Sequence, residues 1–237
     1  PLRRQRQMCI RDSIQLAASR PMIDMRLFTH RVILSGALMA IMAMVTLVGF
    51  ELLMAQELQF VHGFTPFAAG VFMLPVMIAS GFSGPIAGVL VSKLGLRYVA
   101  AGGMALSAIS FFGLSLTNFS TQPVQAAVLM ALLGFSAASA LLASTAAIMA
   151  AAPKEKAAAA GAIETMSYEL GAGLGIAVFG LILSRTFSAT IHLPQQLSAE
   201  EAAQASSSIG EAFRLARESD PALAEGIIAA AKTAFTH

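Results

Sequence analysis

The sequence predicts an all-α, multi-pass membrane protein: about five transmembrane helices followed by an amphipathic helical tail. Three observations predict it. Only 12% of the side chains are charged and 57% are hydrophobic, where a soluble domain carries about 25% charged residues. Mean hydropathy is +0.73. The shortage of charge is also concentrated. No Asp, Glu, Lys or Arg occurs from Tyr98 to Pro153, and from Val32 to Ser92 the only ones are Glu51 and Glu57. Apolar runs of about 18 or more residues are long enough to cross a bilayer.

Residues 1–13, PLRRQRQMCIRDS, show no apolar periodicity. They read as a non-native segment or a basic linker and are left out of the fold. Residues 14–31 are expected to be a cytoplasmic lead-in. The transmembrane bundle is expected over 32–186, with spans at 32–60, 67–92, 97–118, 124–151 and 157–185. The first span is long enough to cross the membrane, so no cleavable signal peptide is expected. The connections VHGFTP, KLGL, FSTQP and APKEK are short and carry the Gly, Pro and Lys of loops. Residues 187–237 regain charge and are expected outside the membrane as one or two amphipathic helices. Ser198 with Glu201 forms a capping-box pattern, and Asp220–Pro221 reads as a helix start. The chain begins at Pro1 rather than Met and has an odd number of spans before its tail. A fragment lacking both ends is therefore expected.

Lys and Arg set the orientation. Arg20, Arg26 and Arg31, then Lys93 and Arg97, then Lys154 and Lys156 fall on one side. The opposite short loops, around His62 and Ser120, carry none. The basic side is expected to be cytoplasmic and the tail extracytoplasmic, in a bacterial cytoplasmic membrane.

Enzyme chemistry finds little support. GFSG at Gly81–Gly84 has the look of an intramembrane serine-protease motif, but that chemistry needs a histidine base within the membrane. His30, His62, His192 and His237 all fall at helix ends or in the tail. Small residues that let helices pack are the better account of it. The sequence has no phosphate loop, dinucleotide fingerprint or metal-binding His/Glu pair. The one cysteine, Cys9, allows no internal disulfide. No enzyme, cofactor, metal or nucleic-acid partner is expected.

The membrane carboxylates are different. A charged side chain at a helix centre costs about 2.5–3.5 kcal/mol on insertion scales. Such residues mark substrate or ion pathways and face the bundle interior. Glu169 lies about 18 Å along its span, near mid-membrane, and Glu164 about 10 Å along. Glu51 falls in the outer half of the first span and Glu57 near its outer mouth. At 100° per residue, Glu164 and Glu169 are about 140° apart. Glu164 aligns with Ser167, Gly171 and Gly175, a small-residue seam. Glu169 aligns with Gly173 and Gly180 and is the first candidate to face a cavity, with Glu164 the second; the alternative is that one or both hydrogen-bond structurally to a neighbouring helix. Desolvation favours the protonated form of any carboxyl group. A carboxyl group in a membrane cavity can therefore hold a proton and exchange it for a cation. Glu169, Glu164 and Glu51 are the expected coupling residues. Tyr168, Phe50 and Glu57 are candidates for a substrate cavity, since aromatic faces attract cations.

Four stretches carry a family likeness: PMIDMRLF (Pro21–Phe28), ELLMAQELQFVHGFTPFAAGVFMLP (Glu51–Pro75), GPIAGVLVSKLGLRYV (Gly84–Val99) and APKEKAAAAGAIETMSYELGAGLGIAVFG (Ala152–Gly180). Together, and in this order, they resemble the fourteen-helix drug:proton antiporters of the major facilitator superfamily. The nearest look is to quaternary-ammonium and methyl-viologen resistance pumps. The resemblance covers about residues 21–190. It implies a major-facilitator C-terminal bundle, lacking its final helix and the whole N-terminal half. It further implies proton-coupled efflux of lipophilic organic cations, with membrane lipid, protons, the cations and the missing N-terminal half as partners. Acidic residues of the family's thirteenth helix map onto Glu164 and Glu169. Gly84, Gly88, Lys93, Gly95 and Arg97 match a degenerate copy of the family's cytoplasmic loop motif. Where that motif has an aspartate, this chain has Ser92–Lys93, which argues against an ion-pair gating role. Two alternatives stay open: a non-transporting membrane scaffold, and a major-facilitator carrier of another substrate. No Lys or Arg lies in the interior of a span, which favours cations over anions.

Overall fold

A computed structural model describes Leu27, residues 29–117, Phe119, residues 121–194 and residues 196–236. The expected segment 1–13 and most of the lead-in at 14–31 lie outside the described residues, as do Asn118 and all of Pro21–Phe28 except Leu27. The described chain is helical throughout: α1 (Arg31–Gln56), α2 (Pro66–Phe72), α3 (Leu74–Leu94), α4 (Leu96–Ser115), α5 (Pro123–Ala151), α6 (Ala157–Thr190), α7 (Ala199–Ala205), α8 (Ile209–Glu218) and α9 (Pro221–Thr236). Five of these are long and apolar enough to cross a membrane: α1, α3, α4, α5 and α6. The expected all-α, five-span class is thus the observed one.

Two breaks follow from local chemistry. α1 runs on into a π-helical turn, Glu57–Val61, closed by the His62 N–H donating to the Glu57 carbonyl at 3.2 Å. The stretch expected as one span over 67–92 is divided at Met73. Pro75 has no N–H to give the carbonyl of Val71, and its ring crowds that carbonyl. Thr65 caps the short helix before the break, accepting from the Ala68 N–H at 3.2 Å. α3 and α4 meet at Gly95, whose φ of +88° a side chain would strain.

Close backbone approach and buried hydroxyls hold the bundle, beside a core of larger side chains that includes Phe50, Leu58, Met130 and Leu133. α5 is its centre, flanked by α3, α4 and α1, and α6 packs chiefly on α1. A Cβ at Gly134 of α5 would stand 2.3 Å from the Val76 carbonyl of α3. Ser80 donates to the Gly134 carbonyl at 3.1 Å. Ser107 of α4 and Ser136 of α5 are hydrogen-bonded at 2.8 Å, and Ser144 of α5 donates to the Gly36 carbonyl of α1 at 2.7 Å. This is the packing expected where lipid removes the hydrophobic drive between helices. Phe67, Phe82, Ile109, Phe112 and Ile182 point outward and are 58–83% exposed, a surface suited to lipid and too apolar for water.

At 34 residues, α6 is about 51 Å long, well beyond a hydrocarbon core of about 30 Å. Its last turns meet the tail. Phe187, Ile209, Leu215 and Ile227 form a small core there, with Phe60 and Val61 of the π turn against it. The tail contains three helices where one or two were expected. The extra break comes at Ser206–Ser208, where Ser208 caps α8 by accepting from the Glu211 N–H. Ser198 and Glu201 form the capping box of α7, and those hydrogen bonds hold the Glu201 carboxyl below its usual range. Arg214 lies 2.8 Å from Glu211 and 3.2 Å from Glu218. The Glu211 contact, reinforced by Glu218, raises the guanidinium pKa further.

Candidate membrane carboxylate site

α6 carries two carboxylates, Glu164 and Glu169, on different faces. One face is a seam. Ala160, Ile163, Ser167, Gly171 and Gly175 are buried along it. A Cβ at Gly171 would stand 2.7 Å from the Ile41 carbonyl, and one at Gly175 would stand 2.9 Å from the Val45 carbonyl. α1 therefore lies directly on these glycines. The other face is open: a Cβ at Gly173 would meet nothing within 4 Å.

Glu164 sits half-buried at the edge of the seam. Its Oε1 accepts from the Thr145 hydroxyl of α5 at 2.5 Å and from the Tyr168 hydroxyl, one turn along α6, at 2.7 Å. The two hydroxyl oxygens are 2.8 Å apart. Three oxygens thus form a closed triangle. When Glu164 is ionised, both hydroxyls can donate to it. When it is protonated on Oε1, the carboxyl O–H becomes a donor and one of the two hydroxyls must turn and accept from it. The Leu141 carbonyl, 3.1 Å from Thr145 Oγ1, offers that hydroxyl another acceptor.

Glu169 is exposed on the open face, and no other described residue bonds to it. The two carboxylates accordingly look in different directions, Glu164 toward α5 and Glu169 away from the chain. Glu51 is half-buried on α1, also without a hydrogen-bond partner among the described residues.

The three expected cavity residues are not together. Phe50 and Glu57 line one cavity of about 540 Å³, bounded by the end of α1 and the end of α4. Tyr168 is not in it and belongs with Glu164. The sequence reading missed Thr145, which was one small polar residue among many in α5, and His62, set aside as a loop residue. Around the α3–α4 junction, Lys93 in the last turn of α3 and Arg97 in the first turn of α4 are exposed and make no ion pair with a described residue, and Gly88 of α3 borders open space.

A profile of the Major Facilitator Superfamily matches residues 19–193, the stretch that contains all five spans and both α6 carboxylates. The chain belongs to the major facilitator superfamily. Among its superfamily relatives, it is 76% identical over 221 residues to the methyl viologen resistance protein SmvA of Salmonella typhimurium. That match covers 93% of this chain and 45% of SmvA. It is 30% identical to the multidrug efflux pump LfrA of Mycolicibacterium smegmatis, over 93% of this chain and 44% of LfrA. It is 31% identical to the multidrug resistance protein Stp of Mycobacterium tuberculosis, over 75% of this chain and 33% of Stp. The chain thus spans less than half the length of these relatives. The resemblance drawn from four short stretches is borne out at the level of the superfamily and of the methyl-viologen relative. With five spans and bacterial relatives of this superfamily, it is a multi-pass protein of the bacterial cytoplasmic membrane.

Proposed function

We propose that the chain is the C-terminal half of a drug:proton antiporter that exports lipophilic organic cations. The observation that carries this reading is the pair of carboxylates on α6. Glu164, with Thr145 and Tyr168, is the proton-handling group. Glu169 lies on the face left open for a cavity shared with the other half, where a cation would meet it. Glu51 is a further acidic group on the same path. The relatives' names support the substrate class: methyl viologen is an organic dication, and two other relatives are named for multidrug efflux or resistance. Lys and Arg occur only near the ends of the described spans, as at Lys93, Arg97 and Arg185, which disfavours an anionic substrate.

Carriers built from two halves alternate access by moving one against the other. The test follows from that. In pump-deficient bacteria, the longer protein containing this chain is expected to export ethidium, and a protonophore is expected to stop it. Cells making residues 1–237 alone are expected to export none. Export by the chain alone, or export indifferent to the protonophore, would contradict the reading.

A further inference from the structure

The cavity beside α1 contains none of the α6 residues. It lies at the end of the bundle opposite Lys93, Arg97, Lys154 and Lys156, the outer end in the orientation those residues set. Its one acidic group is Glu57, on the π turn that ends α1. Glu57 Oε1 lies 3.8 Å from His62 Nε2, and each side chain is 25% exposed. Phe50, Phe111, Phe119 and Phe235 supply aromatic walls. Phe50 and Phe111 meet edge to face at 6.2 Å, which fixes their rings. Phe235 comes from α9, so the tail completes the wall.

We propose that this cavity is a second binding site for a lipophilic organic cation, at the outer end of the path and separate from the α6 carboxylates. The proposal rests on the cation-export reading above. Its chemistry is specific. Ring faces attract a delocalised cation, one carboxylate supplies the countercharge, and ligand pockets run to about 300–1,000 Å³, a range that includes this cavity of about 540 Å³. His62 is the internal partner of Glu57 when the site is empty, and an arriving cation takes its place. The cavity reaches from α1 and α4 to α9 of one chain, so binding needs no second half.

The test is ethidium fluorescence titration of the 237-residue chain in lipid nanodiscs. Saturable binding is expected. Glu57→Gln, which keeps the shape, and Phe235→Ala, which leaves the membrane bundle untouched, are each expected to weaken it by about tenfold. Phe112→Ala, on the lipid-facing side of α4, is expected to bind as wild type. Absence of saturable binding overturns the site, and so does either cavity variant binding within about threefold of wild type. The outcome is separable from that of the transport test. Export without binding removes this site alone. Binding by the chain, with no export by the longer protein, removes the export reading and leaves the site.

Discussion

Gly171→Val is expected to destabilise the bundle by roughly 1–3 kcal/mol, while Gly173→Val, two residues along the same helix, leaves its stability close to wild type. Both changes put the same β-branched side chain into α6 in place of glycine, so the change in helix propensity is the same for both and cancels. What differs is the neighbour. At Gly171 a Cβ stands 2.7 Å from the Ile41 carbonyl and 3.0 Å from its Cα, both backbone atoms of α1. Neither can yield without parting the two helices. At Gly173 there is room. Gly175, one turn beyond Gly171, meets Val45 in the same way, so the two make the small-xxx-small seam by which membrane helices approach. Unfolding the chain in mixed micelles with rising SDS measures the difference. Equal midpoints for the two variants would show that α1 does not rest on this seam.

Glu164→Gln is expected to bring efflux by the longer protein down to background, because an amide cannot exchange a proton at neutral pH. Thr145→Val keeps the carboxylate and removes one of its two hydroxyl donors. Losing that donor alters how readily the carboxyl holds its proton, so efflux should slow but not stop. Tyr168→Phe removes the other donor and should act in the same direction. Ethidium efflux rates, normalised to the protein found in the membrane, distinguish lost coupling from lost protein. If Glu164→Gln pumps at the wild-type rate, the triangle on α5 and α6 is structural only.

The spans were legible because lipid imposes a crude rule: a long apolar run with almost no charge is a transmembrane helix, and basic residues gather at its cytoplasmic end. The split of the α6 carboxylates was legible too. Helical periodicity alone turns Glu164 and Glu169 about 140° apart, and it lines Ser167, Gly171 and Gly175 into one seam. Partners were another matter. Thr145 bonds Glu164 across 19 positions, and nothing in a helix rich in Ala, Ser and Thr marks one hydroxyl above the rest. The cavity around Glu57 draws on α1, α4 and α9, segments that only folding brings together. The break at Met73 had a visible cause in Pro75, but Pro in the first turn of a helix is also ordinary, so the residue alone did not decide where the helix would divide.

In the export reading, cation binding at Glu169 and proton release at Glu164 are coupled through α6. The most direct measurement is proton release when methyl viologen is added to the purified longer protein in weakly buffered detergent solution, followed with a pH-sensitive dye. Binding of the cation is expected to release protons, Glu164→Gln is expected to abolish the release, and Glu169→Gln is expected to reduce it by weakening the binding. Methyl viologen binding without any proton release, or release unchanged by both Glu169→Gln and Glu164→Gln, would contradict that coupling.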